Sequence, residues 1–172
     1  MNEPGSVCHE PIYKKLYEHL AEGLWRFAYL RCGDSDNASD LCQDAFIKLW
    51  NNCAKVTPDK AKAYLYRVVH NSFLNEVAHQ KVVLKYARSK PQGLNEQSPQ
   101  YLMEEQEFGD RLSTAINNLS EAQRTAFLMN RIEGLKYAEI AEALDISVKA
   151  VEKRMSQALR QLRAELKTSK LG

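Results

Sequence analysis

GLKYAEIAEALDISVKAVEKRMSQALRQLRAEL, residues 134–166, reads as a short helix, a tight turn and a longer basic helix. In the first helix Tyr137, Ile140, Ala141 and Leu144 recur at helical spacing, with the small Ala141 where two helices must cross closely. Asp145 occupies the turn, and Asp tolerates a left-handed backbone better than most residues. Ser147 is placed to cap the second helix, whose expected buried seam is Val148, Val151, Met155, Leu159 and Leu162. The remaining faces hold Lys149, Lys153, Arg154, Gln157, Arg160 and Arg163. This separation is the pattern of a helix-turn-helix DNA reader. Arg and Lys can neutralise phosphates or contact guanine edges, and Gln can pair with adenine. Ser147, Lys149, Ala150, Lys153, Arg154 and Gln157 lie earliest on the helix and would reach furthest into a groove. Arg160, Arg163 and Lys167 suit backbone or solvent contacts. The same periodicity also describes a bundle helix with a snorkelling basic face.

The rest of the chain reads as helix too. Val, Ile and Thr are scattered and no alternation of period two persists, so the expected fold class is all-α. A first helix is predicted from Ile12 to Arg31, with Leu16, Leu20, Leu24, Phe27 and Leu30 on one face and Gly33 beyond its end. The segment DSDNAS offers caps for a second helix, with Leu41, Cys42, Ala45, Phe46, Leu49, Trp50 and Cys53 as its apolar stripe. Thr57-Pro58-Asp59 restarts the chain into a third helix, which is expected to break near Asn71-Ser72 before a fourth. Composition then turns polar and proline-containing, as in a linker. Beyond it, Phe108, Leu112, Ala115, Ile116 and Leu119 mark a helix, and Ser120 with Gln123 fits a capping box for the next. The organisation predicted is therefore two small helical domains, residues 10–86 and 107–168, joined by a flexible linker over 87–106. Twenty such residues span up to ~70 Å when fully extended.

The net charge of +2 conceals a segregated distribution. Residues 60–90 carry 7 Lys/Arg against 1 acid, and residues 145–172 carry 7 against 3. Residues 101–144 are acidic, 8 against 4. Such blocks can place two positive faces on a nearly neutral molecule, or can be solvated helix surfaces. Of the four cysteines, none forms a CxxC pair and no zinc-site spacing occurs. Cys42 and Cys53 are expected as buried free thiols, with a reducing cytoplasm as the default location. No signal peptide and no membrane-spanning apolar run is read. Phosphate loops, HExxH and nucleophile elbows are all missing, which argues against catalysis, a metal or a cofactor.

Three stretches together resemble a known family. DLCQDAFIKLW (40–50) looks like the core-binding signature of bacterial sigma factors, AKAYLYRVVHNSFLNEV (61–77) like their promoter-melting segment, and residues 119–163 like their −35-reading domain. With only these two domains, the chain resembles the extracytoplasmic-function group of the sigma-70 family, over roughly residues 12–166. The resemblance implies a cytoplasmic initiation factor that binds RNA polymerase core, through its β′ clamp and β flap, together with promoter DNA. It also implies an anti-sigma partner. On it, Asp40, Gln43, Asp44, Phe46, Ile47 and Lys48 would meet polymerase. Leu41, Phe46, Leu49 and Trp50 would mainly hold the fold. Tyr64, Arg67, His70, Asn71, Ser72 and Asn75 would engage the opened −10 element, with Tyr64 where the family usually has Trp. Ser147, Lys149, Ala150, Lys153, Arg154, Gln157 and Arg160 would read the −35 element. Amide side chains offer both a donor and an acceptor to an unpaired base edge. The linker fits as well, because two DNA turns cover roughly 70 Å.

Two other readings stay open on the residues alone. One is a stand-alone helix-turn-helix regulator with an N-terminal dimerisation domain, which would bind duplex DNA tightly by itself. The other is an adaptor whose basic blocks meet acidic proteins, which would show no salt-dependent DNA binding.

Overall fold

The computed structural model describes residues 5–83 and 100–168, and in them seven α-helices and no strand. Three long helices build the N-terminal domain: α1 (Glu10–Cys32), α2 (Ser35–Asn51) and α3 (Pro58–Val83). Glycine ends α1 as expected: Gly33 takes a left-handed φ of 71° and its N–H returns to the Tyr29 carbonyl. Asp34 then caps α2, its carboxylate accepting from the Asn37 N–H at 2.7 Å. Leu24, Phe27, Leu41, Leu49, Leu65 and Tyr66 meet at the centre of the three helices, all buried. Each such side chain contributes roughly 1.5–3 kcal/mol by leaving water.

The C-terminal domain consists of α4 (Gln100–Asn118), α5 (Glu121–Phe127), a π-helical turn (Leu128–Ile132), α6 (Tyr137–Leu144) and α7 (Val148–Thr168). The capping box forms: the Gln123 N–H donates to Ser120 Oγ, and the Ser120 N–H to Gln123 Oε1. Gly134, at φ 70°, terminates the π turn, and the Leu135 N–H closes it onto the Met129 carbonyl. Asp145 is the single non-glycine residue at positive φ among those described, at φ 54° and ψ 49°. This lets α6 and α7 cross over a core of Ile140, Ala141, Val151 and Met155.

Several expectations are corrected. No break occurs at Asn71-Ser72, and α3 runs unbroken across them. Asn and Ser cost a helix interior only a few tenths of a kcal/mol. Packing outweighs that cost, because Phe73 lies against Arg31 and Glu76 accepts from Asn37 Nδ2 at 3.0 Å. The linker reading ends too late, since α4 already begins at Gln100. Its residues 87–99, and the side chains of Phe108, Lys81, Lys85 and Arg88, lie outside the described ones. Leu30, Trp50 and Val148, assigned to buried stripes, are 45%, 45% and 42% exposed. On α7, Ala158 takes a buried place in the seam. Cys42 is free and buried as expected, but Cys53 is not free: it forms a disulfide with Cys8. That bond pins the N-terminal segment, whose Val7 is buried, to the end of α2.

Two outcomes follow. Reduction, or Cys53→Ser, should cost about 2–4 kcal/mol, seen as a melting temperature lower by roughly 5–15 °C. A native chain melting identically with and without reductant would show unpaired thiols. Asp145→Gly should leave stability unchanged or slightly raised, whereas Asp145→Val should cost about 1–2 kcal/mol by denaturant titration.

Candidate nucleic-acid interface

The reader helix is built as its sequence suggests. Ser147 Oγ accepts from the Ala150 N–H at 3.1 Å, and α7 starts there. Ser147, Lys149, Lys153, Gln157 and Arg160 are exposed along one side of α7, with Ala150 half-buried behind them. Lys149, Lys153 and Gln157 follow i, i+4 spacing and so share a face. Arg154 stands apart. It is half-buried and turned toward α3, close enough for its charge to act on His70.

On α3, Tyr64, Arg67, Asn71 and Asn75 recur every three or four residues and line one side. Asn71 and Asn75 are exposed, and Ser72 is half-buried. The three residues sit within the unbroken α3, with no helix break between them. Tyr64 is half-buried, its hydroxyl 3.4 Å from the Lys48 carbonyl, which favours packing over display. Arg67 is engaged elsewhere: its guanidinium donates to the Ala143 carbonyl at 3.2 Å and to the Glu142 carbonyl. These are the last carbonyls of α6, where a cation is favoured by the helix dipole. His70 was expected to face DNA, but it is half-buried with an unpartnered Nδ1. Burial, then the charges of Arg31 and Arg154, push its pKa down to about 4, with Glu121 acting the other way.

The α2 face divides cleanly. Asp40, Gln43, Asp44, Ile47 and Lys48 are exposed, whereas Phe46 is buried beside Leu41 and Leu49. Around Phe46 stand Tyr13, whose hydroxyl donates to its carbonyl at 2.8 Å, and Tyr17. Trp50 packs edge-on against Tyr13 yet keeps nearly half its surface open. Ile47, at 56% exposure, lies three residues before Trp50 on the same side of α2, the helix that also exposes Asp40 and Asp44.

The two domains touch, and charged pairs cross the contact. Arg31, with a side chain only 1% exposed, lies over the Phe27 and Phe73 rings and reaches α5. There it pairs with Glu121 and donates to Thr125 Oγ1 at 2.6 Å. Burial lowers its pKa to about 10, against the Glu121 charge, so it remains a cation at neutral pH. Burial alone would raise the Glu121 carboxyl, but Arg31 and Arg124 hold it below its usual range. A second bridge runs from Arg26 to Glu133, two hydrogen bonds of 2.9 and 3.0 Å, with the Tyr66 hydroxyl donating at 3.2 Å. Lys60 lies 3.6 Å from Glu142. In these three pairs, among the described residues, the cation comes from the N-terminal domain and the anion from the acidic block of the C-terminal one.

Sequence reading did not single out Arg26, Arg31, Tyr66, Glu121 or Glu133. One signal was present in Gly23, a glycine inside a helix interior with no turn to explain it. A Cβ there would stand 2.8 Å from Glu133 Oε2 and 3.1 Å from the Tyr66 hydroxyl. Among the described residues no helix is long and apolar enough to cross a membrane.

Comparison with known proteins covers both domains. Residues 16–88 match the family model described as sigma-70 region 2, and residues 109–162 the one described as sigma-70, region 4. The chain is 26% identical over 162 residues to the ECF RNA polymerase sigma factor SigE of Mycolicibacterium smegmatis, covering 92% of this chain and 63% of that one. It is 28% identical over 165 residues to the ECF RNA polymerase sigma factor SigL of Mycobacterium tuberculosis, covering 94% and 92%. The fold is similar to that of RpoE from Bartonella quintana, solved with the anti-sigma factor NepR, with a TM-score of 0.70 and 23% identity. That likeness covers 90% of this chain and 96% of the other.

The buried His70 carries a pH dependence. Its folded pKa lies below its ordinary 6.5, so the unfolded chain binds the proton first. Stability is therefore full above about pH 6.5 and falls as the pH drops toward 4. His70→Gln should flatten the melting-temperature profile between pH 7 and 4.5 by a few degrees relative to the native chain. Parallel profiles would show that His70 titrates freely.

Proposed function

We propose that this chain, which belongs to the sigma-70 family and carries its regions 2 and 4 in order, directs RNA polymerase core to promoters as an extracytoplasmic-function sigma factor. The carrying observation is the pairing of a capped reader helix on one domain with exposed Ile47, Trp50, Asp40 and Asp44 on α2 of the other. A stand-alone regulator has no use for the second of these.

In the roles we assign, Asp40, Gln43, Asp44 and Lys48 make the polar contacts with polymerase. Ile47 and Trp50 give the apolar centre that such an interface needs. Phe46 acts from beneath, by holding the helix. Lys149, Lys153 and Gln157 enter the major groove at the −35 element, with Ser147 and Ala150 at the helix start beside the backbone and Arg160 on a phosphate. Asn71, Ser72 and Asn75 take up unpaired −10 bases, while Arg67 meets phosphates. The chain performs no bond chemistry itself, which stays with polymerase. Its place is the cytoplasm, and an anti-sigma protein is its expected regulator.

In vitro transcription with purified core on a promoter library tests this. Native protein should produce specific starts from a subset of templates. Lys153→Ala should lower use of those templates about tenfold, the effect of one lost base or phosphate contact at roughly 1–2 kcal/mol. Asn71→Ala should leave upstream binding intact and slow opening, as followed by permanganate reactivity of unpaired thymines. Ile47→Asp should abolish co-purification with core. Absence of any specific start, together with no binding to core, would sink the proposal.

A further inference from the structure

We infer that Cys8 and Cys53 form a reversible thiol–disulfide site, which orders the start of α1 and the end of α2 when oxidised and releases them when reduced. Its exchange partners are small disulfides in one direction and small thiols in the other, with glutathione as the type case. The inference rests on the cytoplasmic, polymerase-binding reading proposed above, and its test separates the two.

The bond joins residues 45 apart in sequence, where three helices converge. Cys8 lies two residues before α1, and Cys53 two residues after α2, in the turn that leads into α3. Both are half-buried, so a small thiol or disulfide can reach their sulfurs. Cytosolic disulfides are for the most part catalytic or redox-sensing, because glutathione keeps ordinary thiols there reduced. The other cysteines do not compete for the bond. Cys42 is buried, and burial pushes its thiol up to about 11, which keeps it inert. Cys32 stands at the far end of α1, its Sγ donating to the Asp34 carbonyl at 3.3 Å.

The contacts around the bond define what it holds. His9 caps α1 without a side-chain hydrogen bond, so the first turn leans on the segment before it. In that segment the His9 N–H donates to the Ser6 carbonyl at 3.0 Å, and Val7 is fully buried. Tyr13, in the first turn of α1, donates to the Phe46 carbonyl and packs edge-on against Trp50, with ring centroids 5.0 Å apart. The start of α1 therefore seats one of the α2 residues assigned to polymerase. Beside Cys53, the Asn52 N–H, the Asn52 Nδ2 and the Tyr64 hydroxyl all converge on the Lys48 carbonyl. Reduction removes the covalent tie and leaves an uncapped helix start held by Val7 and a few hydrogen bonds. That start frays, and Tyr13 no longer fixes Trp50.

Oxidation runs by exchange. A thiolate of the pair attacks one sulfur of oxidised glutathione, which forms a mixed disulfide and expels one glutathione thiolate. The second cysteine then attacks the mixed disulfide, closes the Cys8–Cys53 bond and expels the other glutathione. Two electrons pass from the pair to the oxidant, and the two protons lost by the cysteines go to the two glutathione thiolates. Reduction by two glutathione thiols is the reverse.

The native chain, equilibrated in buffers of stepped reduced-to-oxidised glutathione ratio, tests this. Maleimide trapping and peptide mass spectrometry should show Cys8 and Cys53 passing together from alkylated to protected within that series. Amide hydrogen exchange over residues 9–16 should quicken about tenfold on reduction, while α7 is unchanged. The reduced chain should bind immobilised polymerase core about tenfold more weakly, since its docking face is less preorganised. Cys8→Ala with Cys53→Ala should bind as the reduced chain does in every buffer, and Cys32→Ser should keep the native response. A pair that stays oxidised, or stays reduced, throughout the series overturns the inference. So does a pair that cycles with no change in exchange at the start of α1, or with equal affinity for core in both states. A chain that cycles and frays as expected but binds core in neither state sinks the sigma-factor reading and leaves the redox site standing.

Discussion

Arg31 sets the constraint on which the arrangement of the two domains turns. A guanidinium with 1% of its side chain exposed must have an anion beside it, because an unpaired buried charge costs several kcal/mol. Its own domain supplies ring faces, Phe27 and Phe73, but among the described residues no carboxylate in contact. The counter-ion is Glu121, 90 residues away on the other domain. A second cation, Arg124, holds the other oxygen of the same carboxylate at 2.6 Å and so orients it. With that pair made, the α5 end of the C-terminal domain is fixed on α1. Glu133 and α6 then fall into place over Arg26, Tyr66 and Arg67.

An interface held in this way is strong in geometry and modest in net energy. Coulombic attraction between buried ions is offset by the water each has lost, and a buried pair often contributes little beyond break-even. The buried apolar residues form one cluster that runs through both domains, and these ions sit at the seam within it.

Within each domain much of the structure was legible from residue order. Helical spacing located the helices, and local chemistry marked their ends: Gly33, Asp34, the Ser120–Gln123 box, Gly134 and the left-handed Asp145 each act within a few residues. What failed was decided at longer range. Asn71-Ser72 has the composition of a break, but ring contacts and the Asn37–Glu76 bond keep α3 straight. Trp50 and Val148 fit an apolar stripe by spacing, yet they lie at its edge and stay 45% and 42% exposed. The Cys8–Cys53 bond joins residues 45 apart, and the Arg26–Glu133 bridge spans 107. No period or motif links such positions. Charge blocks were visible in the sequence, but their complementarity was not.

That complementarity means that the seam's cations already have their acceptors within the chain. Intramolecular carboxylates are tethered near their partners, at effective concentrations that reach millimolar for short connections and fall with length. DNA phosphates in solution must compete with that tethered supply, and each contact they gain also releases counterions. Free DNA therefore meets an opponent that is always present. A protein surface that holds the two domains apart removes the tethered anions from reach. DNA then competes only with salt.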